Sequence, residues 1–342
     1  MLGDLSDERA DAAESDRADT GELARSLHDH VTALAAAPRN RRGSPTQLSA
    51  PRAYVTDRLS AAGWSVRAEE FTVPAGVGLS DAGFPSANLW PLRLRRSFVG
   101  TNLLATRGGP ITRDTLVVIA HLDSVRNSPG ADDNASGVAA ILAAASHIPP
   151  ASGPRNVALI LADLEGISMA GSHHLARTLT PGAVLNLESV GYYDPARGTQ
   201  KLPPGLSLLA GGLAAEIRDR NAAGDFALVV HRKDSSELAR GWAACAQRAG
   251  LTTVLFQDNR YTGRGYRVER LVNVIGANLD RSDHAPFWNA NVPSVMVTDT
   301  APLRNPHYHR PSDTAGTLDY DRLAAVTLGT AELAREWQTT SL

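Results

Sequence analysis

Through the middle of the chain, two apolar patterns alternate. Short solid runs fall at 116–120, 157–162, 184–187, 226–230, 254–256 and 294–297, and each is a predicted strand. Between and after them, at 135–148, 169–179, 206–221, 237–249 and 320–337, apolar residues recur three and four apart and predict helices. Solid apolar strands are buried on both faces, so this alternation predicts an α/β fold with a mostly parallel central sheet and helices on both faces. Ahead of it, helical periodicity covers 22–37 and 46–62, with strands expected at 65–71 and 102–106. The stretch 74–98 is rich in Gly, Pro and Ser and reads as a surface excursion, and the loop 257–283 is long enough to be a functional wall or lid.

Polar groups gather just past the predicted strand ends. His121 and Asp123 close one strand, and Asp132, Asp133 and Asn134 open the following helix. Asp163 and Glu165 follow the next strand and Glu188 the one after, while Ser282-Asp283-His284 and His307-Tyr308-His309 come late. Parallel strands carry their carboxyl ends to one edge, so these groups converge despite their separation in sequence. Imidazole with several carboxylates and no thiolate suits zinc or another borderline divalent ion in a catalytic site.

Composition narrows the classes. With 342 residues, 43% hydrophobic and 20% charged, the chain can bury a sizeable core. A net charge of −2 favours neither nucleic acid nor an anionic membrane as partner. The single cysteine, Cys245, excludes an internal disulfide and reads as a small buried hydrophobe. Residues 1–20 are acidic and lack the apolar core of a signal peptide; a disordered head is expected there, with one domain over 21–342 and a cytoplasmic location. His28, His30, His147, His173 and His174 lie on predicted helices or their ends and read as surface or packing residues.

Seven stretches, in order, resemble signatures of the M28 family of metallopeptidases, which holds dizinc aminopeptidases and glutaminyl-cyclase relatives. They are APRNRRGS at 37–44, AAGWSV at 61–66, the block 121–137, Gly171-Ser172, LNLESVGY at 185–192, SDHAPFW at 282–288 and NPHYH at 305–309. The resemblance implies a zinc-exopeptidase-like architecture and a metal-dependent hydrolase of peptide or amide bonds, acting on small peptides or amino-acid amides. It implies zinc, one or two ions, with His121, Asp133 as the bridge and Glu188 at one site, and His309 at the other. Glu165 resembles the general base, Asp123 the acid that orients His121, and Asp283 an acid that hydrogen-bonds the base. Trp288 and Tyr308 read as pocket walls.

One position departs from that family. Where its members carry Glu-Glu before Gly-Ser, counting back from Gly171 places Glu165 and then Gly166. Glycine offers no ligand, so the second site keeps Asp133 and His309. Three arrangements stay open: one metal acting alone, Glu165 swung onto the second metal, or a scaffold without catalysis. A single-metal cyclisation of glutaminyl-cyclase type is the alternative chemistry.

Overall fold

The computed structural model describes residues 4–40, 46–79, 92–202, 210–259 and 280–339, with side chains from residue 19 onward except those of 77–79 and 92–95. Most of the expected wall at 257–283 therefore lies outside the described residues. In chain order the strands are β1 (Ser65–Val73), β2 (Gly76–Leu79), β3 (Leu92–Arg95), β4 (Phe98–Thr106), β5 (Thr115–His121), β6 (Asn156–Ala162), β7 (Ala183–Leu187), β8 (Ala227–His231), β9 (Thr253–Gln257) and β10 (Ser294–Thr298). All but β2 and β3, which form a separate hairpin, make one eight-stranded sheet in the order β1-β4-β6-β5-β7-β10-β8-β9.

The four central strands β6, β5, β7 and β10 run parallel, as the solid apolar runs predict. Antiparallel joins occur at β1–β4, β4–β6 and β10–β8, and only the last falls where the pattern of runs suggested another parallel strand. It arises because β10 returns to lie between β7 and β8, a crossover with no local sequence signal.

Alternate residues of β5 show how the sheet is covered. Leu116, Val118 and Ala120 pack with Leu27 and Val31 of α1 (Asp4–Leu34), Ile141 of α3 (Gly137–His147), Trp242 of α6 (Ser236–Arg248) and Leu323 of α9 (Tyr320–Thr339). Val117 and Ile119 point the other way, to Leu175 of α4 (Ala170–Thr178) and Phe287 of α7 (His284–Asn289). The period of two along the strand thus feeds two cores. α1 reaches back through most of the acidic stretch expected to be disordered; its Ala, Glu and Arg content favours helix. The remaining helices are α2 (Ser49–Ala61), α5 (Gly211–Asp219) and α8 (Ala301–Arg304).

Where α9 crosses α6, the approach is set by Gly329, at which an added Cβ would lie 2.7 Å from the Cα of Ala246 and 2.8 Å from its nitrogen. Both are main-chain atoms, so the helices themselves would have to part. Gly329→Val is expected to lower the unfolding free energy by about 1–3 kcal/mol, the range for overpacked cores, as read by chemical denaturation.

Candidate metal centre

The parallel register brings the polar groups abreast. Ile119 pairs with Asn186, so two residues further along their strands His121 and Glu188 arrive together at the carboxyl edge. His121 also pairs with Ala162, which places Asp163 and Glu165 beside it. The amide of Glu188 donates to the carbonyl of Val297, which ties this edge to β10.

Asp133 comes from a tight turn, Ala131–Ser136, entered through Gly130 in the left-handed region and followed by α3. Its neighbours Asp132 and Asn134 hold the turn. The Asn134 amide donates to the carbonyl of Leu187 (2.9 Å) and its oxygen accepts from the amides of Gly137 and Ser189 (3.2 Å each). The Asp132 carboxylate accepts from Asn305 Nδ2 (2.7 Å) and the Gly191 amide (3.0 Å). Burial pushes Asp132 up to about 6, although those hydrogen bonds oppose it.

His121, Asp133 and Glu188 form the group that fits a cation: their ligand atoms lie within 4.8 Å of one another. His121 Nδ1 is 2.9 Å from the carbonyl of Asp123, an acceptor only, so Nδ1 carries a proton and Nε2 is the nitrogen that can bind a metal. That buried Nε2 has no hydrogen-bond donor; it faces Asp133 Oδ1 at 3.2 Å and Glu188 Oε2 at 3.3 Å. Two carboxylate oxygens converging on one imidazole nitrogen are an arrangement that a divalent ion satisfies. Without the ion, burial works against a charged imidazole, but Glu188 and Asp133 outweigh it and hold His121 well above its usual range. Burial would likewise raise Asp133, yet His121 and His309 together hold it far below the ordinary carboxylate range.

His309 Nε2 lies 2.9 Å from the other oxygen of Asp133. The carboxylate therefore stands between two imidazoles, the arrangement a bridging ligand needs. Among the described residues, no third His, Cys, Asp or Glu completes a group around Asp133 and His309. Tyr308 stacks on His309, ring centroids 3.8 Å apart, and burial with the charges of Asp133, Glu188 and Glu165 keeps its phenol protonated. Trp288, expected at the pocket wall, is core instead: it is 2% exposed and its indole donates to the carbonyl of Ser294.

The loop carrying Glu165 and Gly166 is tightly wound, with Leu164, Ser168 and Met169 in the left-handed region. Two expectations about its partners change. The carboxylate of Asp123 is 3.8 Å from His121 Nδ1, because its own carbonyl takes that hydrogen bond. It accepts instead from the amides of Glu165 (3.0 Å) and Gly166 (3.4 Å), so it anchors the turn that presents Glu165. Asp283 accepts from the Ser172 hydroxyl rather than from Glu165, since the start of α4 reaches it first. Its other oxygen is buried without a hydrogen-bond partner, and burial raises it to about 6. Burial, together with the charges of Glu188, Asp283 and Asp123, lifts Glu165 well above the usual range although His121 opposes this.

Sequence reasoning missed the groups that hold the ligands. Ser282 donates to Glu188 Oε2 and accepts from Asn186 Nδ2, both at 2.7 Å, a relay from inside β7 to the ligand. Asp313, four residues after His309, accepts from the amides of Asp132 (2.9 Å) and Asp133 (3.4 Å). Its only sequence signal is a carboxylate at short range from His309. Arg39 is a third such group, buried against the loop between His121 and Asp133.

The chain is similar to known proteins over most of its length. The model of peptidase family M28 matches residues 102–334. An uncharacterized protein of Escherichia coli, YfbL, is 32% identical over 242 residues, covering 66% of this chain and 68% of that protein. The zinc aminopeptidase BSAP from Bacillus subtilis superposes with a TM-score of 0.62 at 15% identity, over 93% of this chain and 96% of that one. A glutaminyl cyclase from Porphyromonas gingivalis superposes with a TM-score of 0.58 at 16% identity, over 92% and 98% of the two chains.

If the three acceptors bind zinc, the metal stabilises the fold by mass action. At a free zinc concentration a hundredfold above Kd the gain is about 2.7 kcal/mol. Thermal melts should rise with zinc and fall back with a chelator, and His121→Ala should abolish the rise.

Proposed function

The chain belongs to peptidase family M28, and on that footing we propose that it is a zinc-dependent exopeptidase that releases N-terminal residues from short peptides or amino-acid amides with one tightly held metal. The observation that carries this reading is the convergence of His121, Asp133 and Glu188 within 4.8 Å at the carboxyl edge of the sheet. These three residues would hold the zinc and leave a fourth position open. When bound, the zinc lowers the pKa of a coordinated water and polarises the scissile carbonyl.

The protein's own groups do the rest. Glu165, on the turn anchored by Asp123, takes up the proton of the attacking water and returns it to the leaving amine. A carboxyl raised by burial holds that proton more readily than an ordinary glutamate. The bond from the Glu165 amide to Asp123 holds in place the turn that carries the base. His309 and Asp133 leave an incomplete pair next to the metal, since Gly166 brings no third group. That pair would bind a second ion only weakly.

Glu165→Gln is expected to lower kcat on aminoacyl anilides by about 10²–10⁴-fold, the usual share of a general base, while leaving zinc content unchanged. Zinc lost together with activity would instead make Glu165 a ligand. Release of ammonia from Gln-leading peptides, seen by mass spectrometry in place of N-terminal cleavage, would turn the reading to a cyclising enzyme. Folded protein that takes up no zinc would favour a scaffold without catalysis.

Metal stoichiometry tests the single-ion part. Elemental analysis should give one zinc per wild-type chain at moderate zinc and two for Gly166→Glu. Two tightly held ions in the wild type would overturn it.

A further inference from the structure

Arg39 lies about eighty residues ahead of the metal block, and it is 1% exposed. Its Nε donates to the carbonyl of Leu122 at 2.8 Å. Nη1 donates to the carbonyls of Leu34 (2.9 Å) and Pro129 (2.6 Å), and Nη2 to that of Gly130 (2.9 Å). The main chain of Arg39 joins the same place: its amide donates to Ser124 Oγ and its carbonyl accepts from the Ser124 amide, both at 2.9 Å. Asn40 Nδ2 adds a bond to the carbonyl of Ser124 at 2.6 Å.

These acceptors are the two arms of one loop. Leu122 follows His121 directly, and Gly130 stands three residues before Asp133. Between the arms, the loop's own ties are modest: Ser124 Oγ to the carbonyl of Ser128, and the Gly130 amide to Ser128 Oγ. The Arg39 fork spans the opening of the loop from the end of α1. Gly130 makes this closeness possible, because a Cβ there would stand 3.2 Å from Nη2 and would collide with the carbonyl of Asp133. A planar fork reaches several carbonyls in fixed directions, which an ammonium cannot do. Burial lowers Arg39 only to about 10, with Asp313, Asp133 and Asp123 opposing the drop, so the fork is charged at neutral pH.

We infer that Arg39 is a positioning residue for the metal centre, whose fork fixes the separation of the His121 and Asp133 arms and thereby sets the affinity for the divalent cation. This rests on the reading of His121, Asp133 and Glu188 as ligands. The guanidinium donates to main-chain carbonyls, so its influence travels through the ligands.

The test uses the full chain and zinc alone. Wild type, Arg39→Lys and Arg39→Met are titrated against a chromophoric chelator, with circular dichroism reporting the fold and metal-free melts reporting stability. Both variants should stay folded and bind zinc about 10–100-fold more weakly, the range for groups that orient metal ligands, with lysine giving little rescue. A wild-type Kd in folded Arg39→Lys and Arg39→Met would overturn the inference, even if their metal-free melting points fell. If the Arg39 variants do not fold, Ser124→Ala serves instead. It removes the tie to the Arg39 amide and one loop bond, and should weaken zinc by at least about fivefold, the equivalent of one hydrogen bond; an unchanged Kd there overturns the inference. Wild-type protein that binds no zinc would defeat the ligand reading and this inference with it. Zinc bound normally by both wild type and variants would defeat this inference alone.

Discussion

Everything at the carboxyl edge of this sheet is arranged around a buried carboxylate, Asp133, held between two imidazoles. Taking a charged carboxylate out of water is expensive unless positive charge or hydrogen bonds replace the lost solvent. His121 already gives its Nδ1 hydrogen to the carbonyl of Asp123, and Glu188 and Asp133 raise its readiness to hold a second proton on the buried Nε2. Protonating it would meet the demand in the free protein, and a divalent cation would meet it without that proton. The same geometry thus serves either source of positive charge.

Such a site keeps its shape only if the loops cannot relax. Four main-chain segments meet here, and side chains from elsewhere grip each of them: Asn134 the end of β7, Asp313 the amides of Asp132 and Asp133, Arg39 the carbonyls on either side of the loop, and Asp123 the turn of Glu165. Most of these bonds join a side chain to main chain. Backbone so held is fixed in place whatever side chains the pocket must later accommodate, and loss of one holder leaves a buried polar group unpaired. Rigid support from outside the ligand set is what gives a metal site its affinity.

How much of this can be read from the sequence follows from the range of the interactions. The strand runs are local, and so are the ends where His121, Asp123, Glu165 and Glu188 sit; parallel order then dictates their convergence. The insertion of β10 between β7 and β8 is not local, and neither is any contact of Arg39, whose partners other than Leu34 lie 83 to 91 residues away. The role expected for the Asp123 carboxylate failed at the scale of one residue. A carbonyl and a carboxylate on the same amino acid compete for His121, and the sequence cannot say which arrives first. Asp283 was displaced in the same manner, by a serine hydroxyl at the start of α4. Residue type and spacing announce which groups meet at an edge, while the donor that reaches each acceptor is decided by the path of the backbone.

Gly166 offers no side chain to a metal, and this bears on the second position. A second ion at Asp133 and His309 would add two positive charges against one shared carboxylate, with no further ligand among the described residues. The first position, by contrast, has Glu188 and an imidazole to itself besides the shared Asp133, and a serine relay from Asn186 to hold Glu188 in place. Affinity in such a pair of sites is dominated by ligand count and by how little each ligand must move. On both measures the positions are unequal, and the inequality is built into the backbone turn that Asp123 clamps. Asp123 holds the amides of Glu165 and Gly166, and Gly166 has no side chain to offer a metal. Among the described residues, the second position is therefore offered His309 and the shared Asp133.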